Sequence, residues 1–346
     1  MSKEGCYNAP AMTQEPGPVR APEFPLGVTW LQGGPLTLAE LRGRSVLIDF
    51  WDYTCLNCLH TLPYAKEWHR RYKEHGLVIV GVHAPEFSFA HNIDRVRRAV
   101  AEHGLEYPIA VDNDYAVWQA YANRYWPAKY LVDREGYLRY YHFGEGAYQE
   151  TEAEIQSLLR EAFPQVVLPA PMAPVRDEDR PGALCYRVTP ELYLGYQRGR
   201  IGNTAGIAPD TPARYEDLGK HAEGYFFLEG DWLLAGESAA RPVGASGESR
   251  LHVRYMAKEV NLVMMPPLTG PGRLELLQDG VPLAAEDAGE DARVEDGHIL
   301  VTVNTPRMYR LVNNREIDSH DLTLVTSSDG LALYAFTFGS CLAEES

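Results

Sequence analysis

Apolar positions in the first half of the chain fall into two alternating kinds of segment. Short, nearly continuous apolar runs at 45–51 (SVLIDFW), 77–84, 107–111, 129–132 and 137–143 predict strands. The stretches between them, 55–75, 92–103, 114–124 and 149–163, read as helices. Alternating strands and helices predict an α/β layer structure around a central sheet, with Asp133-Arg-Glu-Gly136 as a hairpin turn. From 164 to 182 the sequence PQVVLPAPMAPVRDEDRPG holds five prolines and a charged run without apolar periodicity, which predicts a stiff, extended connector. Beyond it the period drops to two. Runs at 250–256, 259–264, 273–278, 298–303, 308–312, 321–326 and 331–338 predict short strands, with Asp279-Gly280 and Ser328-Asp329-Gly330 as hairpin turns. The expected organisation is a flexible segment 1–20, an α/β domain 21–163, a linker 164–182 and an all-β sandwich 183–346. Such a linker predicts two independently folding pieces.

A length of 346 residues suits two domains, and 45% hydrophobic with 23% charged residues excludes wholesale disorder. The net charge of -16 repels phosphate backbones and anionic membranes, so nucleic acid is not an expected partner. No apolar run reaches the ~18–20 residues of a membrane span. The first twenty residues lack the apolar core of a secretory signal, which predicts a cytoplasmic protein. The acidic stretch 286–296 lacks calcium-loop spacing and reads as a solvated loop. Five cysteines, of which only Cys55 and Cys58 are close in sequence, do not make a secreted disulfide framework. Cys6, Cys185 and Cys341 read as packing or surface thiols.

Cys55-Leu-Asn-Cys58 follows a buried-looking strand and opens a helix. Unpaired N–H groups and the macrodipole at a helix start favour a thiolate, which makes Cys55 the nucleophile. Cys58, one turn on, can close a disulfide with it. A zinc site would need two further ligands; His60 is near, but no second Cys-x-x-Cys follows. A c-type haem needs histidine directly after the second cysteine, where Leu59 stands. Two inert structural cysteines remain the plain alternative. Asp49 sits inside the apolar strand, six residues before Cys55; burial should raise its pKa and let it move protons for the dithiol. Pro63 should kink the helix, and Trp126-Pro127, just before a strand, suits a cis bond.

The Asp-Phe-Trp strand, its spacing to Cys-x-x-Cys, the helix proline and the proline before the later strand resemble the thioredoxin fold. The stretch APEFPLGVTWLQGGPLTLAELRGRSVLIDFW resembles the larger redoxins and TlpA-like proteins. DYTCLNCLHTLPYAKEWHRRY, GVHAPEF, YPIAVDNDYAVWQAY and YWPAKYLVDREGYLRYYHFGEG are similar to the thioredoxin-like region of DipZ-type proteins. The second half, ending HDLTLVTSSDGLALYAFTFG, resembles the carbohydrate-binding-module-like domain, of jelly-roll type, that follows it there.

The resemblance implies thiol–disulfide exchange on disulfide-containing protein substrates: Cys55 attacks, Cys58 resolves, and no cofactor or metal takes part. Cis-Pro127 would lie against the cysteines and seat substrate through the backbone of Trp126; Trp51, Tyr53 and Trp126 would shape the groove, and Trp126, Tyr53 and Thr54 would bind substrate. Thr54 stands where thioredoxin has tryptophan, and Leu56-Asn57 replaces its Gly-Pro, so the reduction potential does not carry over. DipZ-type proteins carry a membrane electron-conducting domain ahead of this region; here the expected electron donor is an unidentified reductase. Sugar binding by the β half would use Tyr193, Tyr225, Trp232 or Tyr255 against pyranose rings, although aromatics also dominate sandwich cores. His83, His91 and His142 read as structural. Two competing readings are a redoxin-type thiol peroxidase, whose peroxide pocket is not visible around 52–55, and a non-enzymatic glycan- or protein-binding module with a redox-sensing domain.

Overall fold

The computed structural model describes residues 18–180, 184–185, 187–339 and 341–342. Cys6 and most of the segment expected to be flexible lie outside the described residues, as do 181–183 at the connector's end. Two compact units form among the described residues. One takes in the chain to Phe50, Ala65–Ala84 and Glu106–Pro171; the other takes in Trp51–Tyr64, Pro85–Leu105 and the chain from Met172.

Six strands build the sheet of the α/β half: β1 (Thr29–Gln32), β2 (Ser45–Trp51), β3 (Leu77–His83), β4 (Ile109–Val111), β5 (Ala128–Val132) and β6 (Leu138–Phe143), in the order β1-β4-β3-β2-β5-β6. β3 and β4 run parallel, while β2, β5 and β6 pair antiparallel. All seven residues of β2 are buried, which is why it reads as an unbroken apolar run. Four α-helices fall in this half of the sequence among the described residues: α1 (Leu56–Tyr72), α2 (Ile93–Glu102), α3 (Ala116–Ala120) and α4 (Tyr148–Ala162), of which α2 and the start of α1 belong to the second unit. Asn92 caps α2 by accepting from the amides of Asp94 and Arg95. α3 is shorter than the 114–124 predicted, because Tyr115 and Ala122 on either side take positive φ (55° and 49°). In the first unit Val46, Ile48, Phe50, Val80, Val82 and Tyr130 form the centre of the core. No helix among the described residues is long and apolar enough to cross a membrane.

The second half is all-β. Its strands are β7 (Leu184–Cys185), β8 (Leu192–Tyr193), β9 (Ala213–Tyr215), β10 (Phe226–Leu234), β11 (Ala239–Ala240), β12 (Ser249–Met265), β13 (Gly272–Gln278), β14 (Val281–Pro282), β15 (Ala292–Glu295), β16 (His298–Val303), β17 (Arg307–Thr326), β18 (Ala332–Gly339) and β19 (Cys341–Leu342). Pairing links them in the order β15-β16-β13-β17-β12-β10-β11-β18-β8, with β14 on β13 and β9 on β10. β7 and β19 form a separate pair that sets Cys185 opposite Cys341. Each long strand spans two predicted ones. β12 and β17 stay paired through irregularities at Ala257/Glu259 and Val260/Asn261, because the ladder is held by backbone groups where the side chains turn polar. β10 is absent from the prediction: Glu229-Gly230-Asp231 interrupts its apolar pattern, although burial alternates along it.

The connector is tied down rather than bare. Gln156 donates to Pro169 O at 2.9 Å in the first unit; in the second, the amide of Val175 donates to the Tyr64 hydroxyl at 2.8 Å, which bonds Asp179 at 2.6 Å.

Candidate active site

Cys55 and Cys58 are joined as a disulfide with their Cα atoms 5.2 Å apart. Cys55 stands immediately before α1 and is half-buried; Cys58, within the first turn, is fully buried. The amide of Cys58 points at Cys55 Sγ, 3.1 Å away. That N–H is one of those a helix start leaves unpaired, and α1 has no acidic side chain in its first turn to oppose negative charge on the sulfur. When the pair is reduced, the same N–H favours the thiolate of Cys55 over its thiol.

The loop that delivers Cys55 is organised by Asp52. Its Oδ1 accepts from the amide and hydroxyl of Thr54 at 2.6 and 2.7 Å, and its Oδ2 accepts from the amide of Glu86 at 2.6 Å. Burial raises the Asp52 pKa, and the bonds from Thr54 and Glu86 oppose that rise. Sequence reasoning missed Asp52, yet Asp-x-Thr is a pattern in which a carboxylate folds back on the amide two residues on. Tyr53 is 6% exposed and Thr54 2%, so their side chains are buried beside the cysteines. Burial and then Asp52 hold the Tyr53 hydroxyl well above its ordinary pKa.

The loop after β3 meets β-rich elements of the same unit. Phe89 and Phe87 present their rings to Tyr334 at 4.8 and 5.2 Å between centroids, both edge to face. The amide of Ser88 donates to Glu237 at 2.9 Å. Tyr193 is bonded to Glu86 at 2.7 Å, and Arg198 reaches Glu86 at 3.1 Å while covering the Tyr193 ring at 3.4 Å. Burial raises the pKa of Glu86.

Asp49 belongs to the first unit. It is 1% exposed, opposes Lys129 in the β2–β5 register, and neither of its carboxylate oxygens has a hydrogen bond among the described residues. Burial pushes its pKa up to about 7 against the pull of Lys129. Lys129 donates to Gly146 O at 2.7 Å and lies 4.7 Å from the Tyr148 ring centre. The Trp126–Pro127 bond is cis; Trp126 donates its indole N–H to Ala84 O at 2.9 Å and packs on Trp118 at 4.2 Å between centroids. Thus Asp49, Trp126 and Pro127 fall in one unit, and Tyr53, Thr54, Cys55 and Cys58 in the other.

Most of the other candidates have structural places. Trp51 is fully buried, as are Trp232 and Tyr255 in the β core, where no sugar ring reaches them. Tyr193 is engaged by Glu86, and Tyr225 is exposed. His91 and His142 bond nearby carbonyls at 3.1 Å.

A central sheet with a cysteine pair at the start of its first long helix defines a dithiol–disulfide redox protein of thioredoxin-like fold. The chain belongs to the thiol–disulfide oxidoreductase family, as the following similarities establish. It is 32% identical over 141 residues to the thiol-disulfide oxidoreductase YkuV of Bacillus subtilis, covering 40% of this chain and 94% of that protein. It is 30% identical over 144 residues to the thiol-disulfide oxidoreductase ResA of Bacillus thuringiensis, covering 42% and 77%. It is also 35% identical over 319 residues to Protein DipZ of Mycobacterium tuberculosis, covering 90% of this chain but 42% of that protein. The chain therefore spans less than half the length of that relative. The family model described as the AhpC/TSA family matches residues 19–141, and that of a thioredoxin-like C-terminal domain matches 189–339.

Proposed function

We propose that the chain reduces or exchanges disulfides of protein substrates. The Cys55 thiolate attacks one sulfur of a substrate disulfide, releasing the other as a thiolate that takes up a proton. Cys58, deprotonated, then attacks Cys55 in the mixed disulfide, freeing the second substrate thiol and leaving the Cys55–Cys58 disulfide. Two electrons pass from the dithiol to the substrate, and a reductase restores the pair. Asp49 is the acid/base of this reading, supported by its pKa near 7 and its place on the strand that feeds the cysteine loop. Cis-Pro127, with the backbone of Trp126, is the proposed substrate seat.

The observation that carries the reading is the half-buried Cys55 sulfur, met by a helix-start amide, ahead of a fully buried partner. The β half, of the carbohydrate-binding-module-like kind in this reading, serves to dock protein substrates beside the cysteine loop. Its tie through Tyr334 and Tyr193 to the loop after β3, whose Glu86 amide bonds Asp52 of the cysteine loop, supports protein docking over glycan docking. Insulin reduction with a dithiol donor tests the function: activity lost in Cys55→Ser and mixed disulfides accumulating in Cys58→Ser support it. Peroxide consumption by the wild type in place of insulin reduction would point to a peroxidase, and glycan-array binding without either activity would point to a binding module.

A further inference from the structure

Outside the cysteine loop, one cluster of ligating side chains among the described residues has no part in thiol chemistry. Asp217, His221 and His252 each offer a ligand atom, and these atoms lie within 4.8 Å of one another. His252 sits on β12 between Leu251 and Val253, which are wholly buried in the core, so its own side chain leaves the opposite face of the sheet, as do those of Arg250 and Arg254. Asp217 and His221 come from the irregular segment between β9 and β10, laid over that face.

Three observations mark the cluster as more than a chance meeting. The two imidazoles are nearly parallel, with centroids 4.9 Å apart. Each ring nitrogen faces an oxygen: for His221, Nε2 meets Asp217 at 3.1 Å and Nδ1 meets Asp321 at 3.4 Å; for His252, Nδ1 meets Thr323 at 2.9 Å and Nε2 meets Glu229 at 3.3 Å. Finally, Asp217 is 10% exposed in its side chain, and its buried Oδ1 has no hydrogen-bond partner among the described residues, a costly state for a carboxylate unless a positive group meets it.

We propose that Asp217, His221 and His252 bind one Zn²⁺ ion, which pins the segment 216–225 to the sheet. Two imidazoles and a carboxylate are a donor set that borderline-soft zinc accepts, whereas calcium and magnesium require six or more oxygens. Ligation through the two Nε2 atoms leaves both Nδ1–H groups donating, to Asp321 and to Thr323, the outer bonds that fix a ligating histidine's ring and tautomer. Ligand atoms around tetrahedral zinc stand about 3.3 Å apart, given bonds of ~2.0–2.1 Å, so closing the site asks for movements on the order of 1 Å. The fourth position falls to Glu229 or water. No electron transfer is involved, and the site is independent of the disulfide chemistry.

The test uses the full chain, stripped of metal by chelator and with Cys55–Cys58 oxidised. Zinc titrated by calorimetry should bind one equivalent at this site. Co²⁺ in its place should give visible d–d bands without thiolate-to-metal charge transfer. Saturating zinc should raise the thermal midpoint by several degrees. Asp217→Asn and His221→Gln should each weaken zinc binding at least tenfold, with the metal-free midpoint and insulin reduction kept at wild-type levels. Should either variant fold poorly, the other, with His252→Gln, gives the same readout. Absence of zinc binding, charge-transfer bands from thiolate, affinity undiminished in the variants, or equal binding of Mg²⁺ would each overturn the assignment.

Discussion

The hydroxyl of Tyr193 lies 2.7 Å from Glu86 Oε1, across 107 residues of sequence, and 2.6 Å from Glu191 Oε2. One hydroxyl proton cannot serve two carboxylates, so at these distances one of the two acids supplies a proton of its own, in line with Glu191, whose pKa burial and then the charge of Glu86 push up to about 7. The amide of Glu86 bonds Asp52, and Asp52 holds Thr54 directly ahead of Cys55. A β-strand residue is thereby coupled to the nucleophile through hydrogen bonds and two short lengths of backbone.

Tyr193→Phe removes the shared hydroxyl and leaves the two carboxyl groups facing each other. The expected cost is about 1–3 kcal/mol of stability, the usual range for stripping one partner from a buried polar group. Urea unfolding checks it, and an unchanged midpoint would show that the link carries no energy.

Asp52→Ala should act on both stability and rate. The amides of Thr54 and Glu86 lose their acceptor, at about 1–3 kcal/mol each where water cannot reach them. Asp52→Asn keeps one acceptor oxygen and should recover part of both losses. Wild-type insulin reduction in the alanine variant would show that the loop holds its shape without this carboxylate.

In the reduced protein, iodoacetamide should modify Cys55 before Cys58, with a thiol pKa below the free value of ~8.5. Exposure and the Cys58 amide both act in that direction. Peptide mapping that finds Cys58 labelled first would reverse the assignment of nucleophile.

The cysteine pair, β2, α1 and the cis proline were legible because each leaves a local mark: an unbroken apolar run, a helix start, a proline before a strand. Asp52 was not, because its partners are amides, which the sequence does not display. β10 escaped because Gly230, at φ 84° and with Glu248 O 2.6 Å from where a Cβ would stand, breaks the apolar pattern while the strand continues. The run Asn313-Asn-Arg-Glu-Ile-Asp-Ser-His320 hid the middle of β17 for the converse reason, since backbone pairing persists there without an apolar face. Asp217 and His221 share no motif with His252; only the fold brings them together.

Asp49 gives a signature against pH. Its folded pKa of about 7 lies above the ordinary 3.8, so the folded protein holds a proton that the unfolded chain has released. The stability contributed by Asp49 therefore falls as pH rises from about 4 to 7, the window between those two values. Asp49→Asn removes that contribution and should flatten the slope there. The same variant should slow disulfide exchange near neutral pH about 10²-fold if Asp49 moves the proton of the resolving thiol. A flattened slope with unchanged exchange rates would leave Asp49 a buried acid without a catalytic part.

Cutting the chain after Ala173 asks whether the β half only recruits substrates. The extended connector predicted independent pieces, but the segments carrying Cys55 and Phe89 belong to the same compact unit as the chain from Met172. A fragment ending at Ala173 exposes Phe87 and Phe89, which otherwise meet Tyr334, and strips Tyr193 and Arg198 from Glu86. Losing Arg198 removes a positive group that helps hold Glu86 ionised, and water entering the loop changes the dielectric around Asp52. The expected outcome is a fragment that keeps its helical circular dichroism, reduces insulin at least tenfold more slowly, and shows a shifted Cys55 pKa. Slow reduction of a small disulfide such as oxidised glutathione, which needs no docking surface, would place the defect in the cysteine loop itself. Wild-type glutathione reduction with slowed insulin reduction would instead confine the β half to recruitment.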